Sequence, residues 1–137
     1  MEVRRAFVVV GLLIAAAVAV VTVRPAFADS RDISVGGIWI TRITHDSAGV
    51  SSYDRAVQIN IRITQVLSSP KSQQGAVISV QPYGTAATIT VGDILVFTVT
   101  PDDAAGTSMT PMQIAKQWAS LLAKGLSNAM PGSVFHF

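Results

Sequence analysis

Asp102 and Asp103 stand side by side after a strongly β-branched run, and Asp46 occupies a comparable loop in the first half of the chain. Carboxylates suit acid–base work, so a small extracytoplasmic hydrolase using Asp46, Asp102 and Asp103 is the enzymatic reading these residues permit. Adjacent aspartates usually point apart, however. Asp102 and Asp103 alone therefore do not make the pair across a cleft that glycoside hydrolysis needs. A calcium site shared by Asp46, Asp102 and backbone carbonyls would be short of oxygen ligands. Aspartate ahead of a helix has a plainer role: it favours the positive helix end and accepts hydrogen bonds from loop amides. The expectation is no enzyme, no cofactor and no metal, with the three aspartates kept as loop candidates.

Other chemistry falls away for want of residues. His45 and His136 are the two histidines, and they form no H-x-x-x-H pair for zinc. His45 adjoins Asp46, a spacing that rarely gives a triad hydrogen bond, and no G-x-S-x-G elbow is present. The chain has no cysteine, which removes thiolate nucleophiles, cysteine-ligated zinc and disulfides. Gly36-Gly37 and Gly92-Asp93 read as turns and belong to no phosphate-binding glycine pattern. Trp39 and Trp118 read as core or subunit-contact residues ahead of a sugar-stacking pair.

The elements that must hold these residues can be read from period and punctuation. Ile38–Thr44 is β-branched and partly alternating, which predicts a strand. Ser51 with Asp54 three positions on looks like a helix start, and no glycine or proline follows until Pro70. Residues 53–67 fit a helical stripe of Tyr53, Ala56, Ile59, Ile63, Val66 and Leu67, with Asn60 among them. They also fit a strand alternation through Val57, Ile59, Ile61 and Ile63. Length and the cap favour the helix. Residues 76–81, 86–91 and 94–100 read as strands, with Pro82-Tyr83-Gly84-Thr85 and Gly92-Asp93 as the turns. Pro101 to Met109 reads as a loop. Thr110-Pro111 with Gln113 then opens a helix that ends at Pro131-Gly132.

One internal similarity organises the whole. Ile33 to Thr44 aligns with Ile89 to Thr100, and each stretch leads through an Asp-bearing loop, a glycine (Gly49, Gly106) and a hydroxyl cap into a helix. If the likeness is structural, Ile33–Val35 is also a strand. The predicted fold is α+β: one antiparallel sheet with two helices packed on one face, built as two duplicated ββα-like halves if the likeness is more than the small residue alphabet that strands share.

The N-terminus sets the compartment. Arg4 and Arg5 precede an apolar stretch from Ala6 to Val23, followed by Pro25 and the small residues of Ala26-Phe27-Ala28. That order predicts a signal peptide over 1–28, with an uncleaved membrane anchor as the alternative. Either way residues 29–137 form one small α+β domain on the outer side, periplasmic, secreted or anchored. Without the leader, seven basic residues face seven aspartates and no glutamate. No basic stripe remains to grip phosphates, so nucleic acid is not an expected partner. The apolar tail carries Phe135 and Phe137 past the last stop signal and reads as an interaction surface, with the helix-free sheet face.

A resemblance sharpens this reading. Thr98-Val99-Thr100, Asp102-Asp103-Ala104, Thr110-Pro111 and Ile114-Ala115-Lys116-Gln117-Trp118 look like a strand, T-x-x-D-A loop and A-x-x-W helix found in some bacterial mechanosensitive ion channel proteins. Asp54-Arg55-Ala56 through Ile63 is similar to the first helix of the same extracytoplasmic N-terminal module. The likeness spans most of residues 35 to 130. It implies an α+β module without catalytic residues. Pore-forming helices are not part of it, so it carries the module and not channel activity. The function expected is an exported, non-enzymatic binding or accessory domain of the cell envelope, channel- or wall-associated. Its partner would be an envelope protein or a second copy.

Overall fold

The computed structural model describes residues 31–137; the leader expected over 1–28 lies outside the described residues. Strands β1 (Asp32–Val35) and β2 (Ile38–Arg42) form an antiparallel hairpin. Its two-residue turn has Gly36 at φ 56° and Gly37 at φ 77°, the left-handed pair that a tight hairpin of this length requires. Helix α1 (Ser52–Ser68) follows, started by Ser51, whose hydroxyl accepts from the Asp54 amide at 3.1 Å. Ala56, Ile59, Ile63 and Val66 are its buried apolar face, so the 3.6-residue period prevails over the strand alternation. Tyr53 and Ile61 stay exposed.

A 3₁₀ turn (Ser72–Gln74) leads into β3 (Ala76–Tyr83), β4 (Ala86–Val91) and β5 (Ile94–Val99). A short helix α2 (Pro101–Ala104), the long helix α3 (Pro111–Ala129) and a final strand β6 (Phe135–His136) complete the chain. The four-stranded sheet runs β5-β4-β3-β6, with β6 parallel to β3 and the other pairs antiparallel. The α+β class and the two main helices packed against the sheet agree with the sequence reading. Four details differ. The hairpin β1–β2 stands apart from the larger sheet. The tail closes the sheet as a parallel strand, so the sheet is mixed. Residues 101–104 form a helical turn where a loop was expected. Strand β3 also continues through Pro82, whose missing N–H falls on the edge that β6 does not reach.

The internal similarity is visible in the ladders. Asp32–Arg42, Ile33–Thr41, Ser34–Trp39 and Val35–Ile38 in the first hairpin recur as Thr88–Thr98, Ile89–Phe97, Thr90–Leu95 and Val91–Ile94. Both ladders break register at the equivalent step, between Ile33 and Ser34 and between Ile89 and Thr90. Ile40 and Val96 are thus matching bulge residues, and both are buried. The helices correspond as well. Ser51 and Thr110 cap them, and buried Ala56, Ile59, Ile63 and Val66 match buried Ala115, Trp118, Leu122 and Gly125. Each helix packs along the other unit's edge strand, α1 on β5 and α3 on β2.

Phe97 sits at the middle of the core with its ring 5.4 Å from that of Trp118. Helix α3 approaches the first hairpin closely enough that only glycine fits. A Cβ on Gly125 would lie 2.5 Å from Val35 Cγ1 and 2.6 Å from the Val35 carbonyl oxygen. Alanine at a helical position normally gains about 1 kcal/mol over glycine. Here overpacking against backbone costs about 1–3 kcal/mol and reverses the sign. Gly125→Ala is expected to lower the urea midpoint with an unchanged m-value; an equal or raised midpoint would show that the helix and hairpin separate freely.

Candidate functional site

The loops that carry the aspartates do meet, and an arginine joins them. Thr100 follows β5 and caps α2: its hydroxyl accepts from the Asp103 amide, while Asp103 Oδ2 accepts from the Thr100 amide at 2.9 Å. This capping box turns the Asp103 carboxylate inward, where the Arg55 guanidinium reaches it from α1. Arg55 donates twice, Nη1 to Oδ1 at 3.0 Å and Nη2 to Oδ2 at 2.7 Å. The same two nitrogens donate to the His45 carbonyl and, at 3.3 Å, to the Thr98 carbonyl. The side chains are 9% and 4% exposed, so this is a buried ion pair. Desolvating two charges costs several kcal/mol each, and the bidentate geometry with added backbone acceptors offsets it.

Asp46 is engaged differently. Its Oδ1 accepts from the Ser52 amide at 2.7 Å, an orphan donor of the first turn of α1. Asp102 is exposed in the first turn of α2. The structure therefore brings the His45–Asp46 and Asp102–Asp103 loops together through Arg55, with Asp46 and Asp103 both occupied as backbone acceptors. Among the described residues no group of three histidine, cysteine or acidic side chains is placed to hold a metal ion. His45 Nδ1 lies 3.0 Å from the Thr44 hydroxyl, and His136 is exposed on β6.

The two tail phenylalanines part company. Phe135, expected on an interaction surface, is only 9% exposed and belongs to the core. Its strand pairs with β3 at Ala76, and Gly75 passes so close that a Cβ there would strike Val134 backbone. Phe137 remains exposed. The helix-free face of the sheet is intact as a surface. Ser79, Thr90 and Leu95 form one cross-strand row, and Gln81, Thr88 and Thr98 the next. Exposed Val77 and Tyr83 flank them on β3. From Ala76 to Thr100 the one charged residue is Asp93, in a turn.

Arg55 escaped the sequence reading, although a signal for it existed. It lies on the apolar stripe of α1, one residue before Ala56 and four before Ile59, where a solvated arginine does not belong. Its counterpart in the second unit is buried Ile114.

Residues 32–129 match the family model described as Domain of unknown function (DUF8459), and the chain belongs to that family. The match carries no link to mechanosensitive channels. No curated protein and no solved structure matches.

Removing one partner of a buried, hydrogen-bonded pair costs about 3–5 kcal/mol, because the other charge stays behind. Asp103→Asn and Arg55→Ile are each expected to destabilise by that order in urea unfolding. The double variant should lose clearly less than the two singles combined. Strict additivity would mean that the pair does not couple the units.

Proposed function

We propose that this DUF8459 member is an exported, non-enzymatic binding domain of the bacterial cell envelope, docking on an envelope protein or a second copy of itself. The observation that carries the reading is the uncharged, helix-free face of β3, β4 and β5. A solvated antiparallel sheet usually mixes charges into its outer face, whereas interface cores are depleted of them. Here 25 consecutive residues, Ala76 to Thr100, build three strands with Asp93 as their one charge. Threonine and serine supply hydrogen-bonding groups, and Val77, Tyr83 and Leu95 supply apolar area.

The order of basic start, apolar stretch and A-x-A site in the leader supports export, with a mature chain beginning at Asp29. The likeness of residues 98–118 to the extracytoplasmic module of mechanosensitive channel proteins supports a channel-associated place in the envelope. The engagement of Asp46 and Asp103 as backbone acceptors supports a structural role for the loop carboxylates over a hydrolytic one.

Thr88→Lys combined with Thr90→Lys places two charges at the centre of the face while leaving the core side of β4 untouched. Surface changes of this kind alter stability by about 0.5 kcal/mol or less. The expected outcome is unchanged folding with loss of self-association in light scattering, or loss of the envelope protein retained by the wild type. A double variant that associates like the wild type sinks the proposal. Intact mass of the exported protein checks the leader separately: a mass that includes Met1 rules out cleavage before Asp29.

A further inference from the structure

The repeated unit supplies an internal control, because each copy shows what the fold itself needs at a given position. Where α1 runs along β5 a small cleft opens, lined in part by Gln58, Ile59 and Arg62. Where α3 runs along β2 a second cleft opens, and it uses the matching helix positions Gln117, Trp118 and Leu121. The glutamine is common to both. The aromatic character is not: Trp118 stands where the first helix has Ile59, and Trp39 stands where the second hairpin has Leu95. Two tryptophans have thus gathered at one cleft in a fold whose other copy does without them.

This second cleft has a volume of about 530 Å³, and none of the residues lining it is charged. Thr41, Gln117 and Ser120 contribute polar groups beside the two indoles. Trp39 is 58% exposed, yet its ring is tethered. Its Nε1–H donates to Asp32 Oδ1 at 3.4 Å, and Arg42 holds that carboxylate with bonds of 2.7 and 2.8 Å. An exposed aromatic ring fixed in this way is pre-organised for a ligand, which lowers the ordering cost of binding.

We propose that the cleft between β2 and α3 binds neutral carbohydrate, one or two pyranose units of a glycan, against Trp39. A pyranose offers an apolar C–H face to an aromatic ring and a rim of hydroxyls to amide and hydroxyl partners. Gln117, Ser120 and Thr41 are partners of that kind. The absence of charge disfavours phosphorylated or acidic ligands. An extended peptide is the competing occupant. It would have to pair with β2, where the bulge at Ile40 and the Asp32–Arg42 ion pair interrupt the edge. The cleft lies apart from the uncharged sheet face, so the two proposals stand or fall separately.

The test titrates the exported protein with cellohexaose and with chitohexaose while following the indole N–H resonances by NMR. The expected result is a saturable shift of the Trp39 indole and the Gln117 side-chain amide by at least one of them, with a dissociation constant on the order of 1 mM. Trp39→Ala should weaken binding by about tenfold, as loss of an aromatic contact does, and Trp39→Tyr should recover most of it. The variant carrying Thr88→Lys and Thr90→Lys should bind sugar like the wild type. Three results would overturn the proposal: no saturable shift with either hexasaccharide, equal binding by Trp39→Ala, or saturation by a leucine-rich peptide alone.

Discussion

The buried pair of Arg55 and Asp103 is the junction on which the arrangement of the two units depends. Arg55 belongs to the helix of the first unit, and Asp103 to the short helix α2 that follows the strands of the second. Arg55 also donates to the His45 carbonyl in the loop after the first hairpin and to the Thr98 carbonyl on β5. An ion pair of this kind adds little net stability over an apolar contact, since desolvation consumes most of the attraction. Its directional demands are another matter. A guanidinium with four fixed acceptors tolerates one docking of helix on strand, where packed aliphatic groups would tolerate several. The second unit solves the equivalent problem with Ile114 and with a close approach of Gly125 to Val35. One junction is fixed by hydrogen bonds and the other by shape.

Much of the fold could be read from the sequence because local chemistry and tertiary packing agree along most of the chain. The cap at Thr110, the tight glycine turns and the alternation in β4 each signal the element that forms. The harder segment, residues 53–67, resolves as a helix because its burial follows Ala56, Ile59, Ile63 and Val66 at helical spacing. What stayed hidden depends on partners distant in sequence. Phe135 looks like a loose apolar tail until β3 supplies a parallel neighbour. The separation of the first hairpin from the larger sheet is likewise invisible in its own residues, which pattern like those of β4 and β5. Asp103 reads as an ordinary loop acid because Arg55 lies 48 residues away. The alignment of the two halves held the missing clue: an arginine in one copy facing an isoleucine in the other.

That alignment has a wider use. In a chain built from two units of one design, positions that agree describe the scaffold, and positions that disagree describe what has been added to it. The shared residues are the turn glycines, the bulge residues Ile40 and Val96, the caps and the apolar helix stripe. Three of the differing places bear on docking or on the surface: the Arg55 junction, the paired tryptophans beside β2, and the charge content of the outer strand faces. The first is accounted for by packing, because both terminal nitrogens of Arg55 and both carboxylate oxygens of Asp103 are hydrogen-bonded. The other two leave exposed groups that the scaffold does not require.

The distribution of charge separates these two surfaces in kind. The first hairpin holds its outer face with the Asp32–Arg42 ion pair, which leaves Trp39 as an isolated aromatic ring in polar surroundings. The matching pair in the second hairpin is Thr88 and Thr98, which leaves Leu95 and its neighbours in a broad neutral field. A small rigid ligand suits an isolated ring beside a cleft, since few contacts can be made and each must be well placed. A neutral field of hydroxyl and apolar groups suits a flat, extended partner, because many weak contacts combine once water is excluded. One hairpin geometry can therefore present two different outer surfaces, and the difference between them lies in the side chains at two matched pairs of positions.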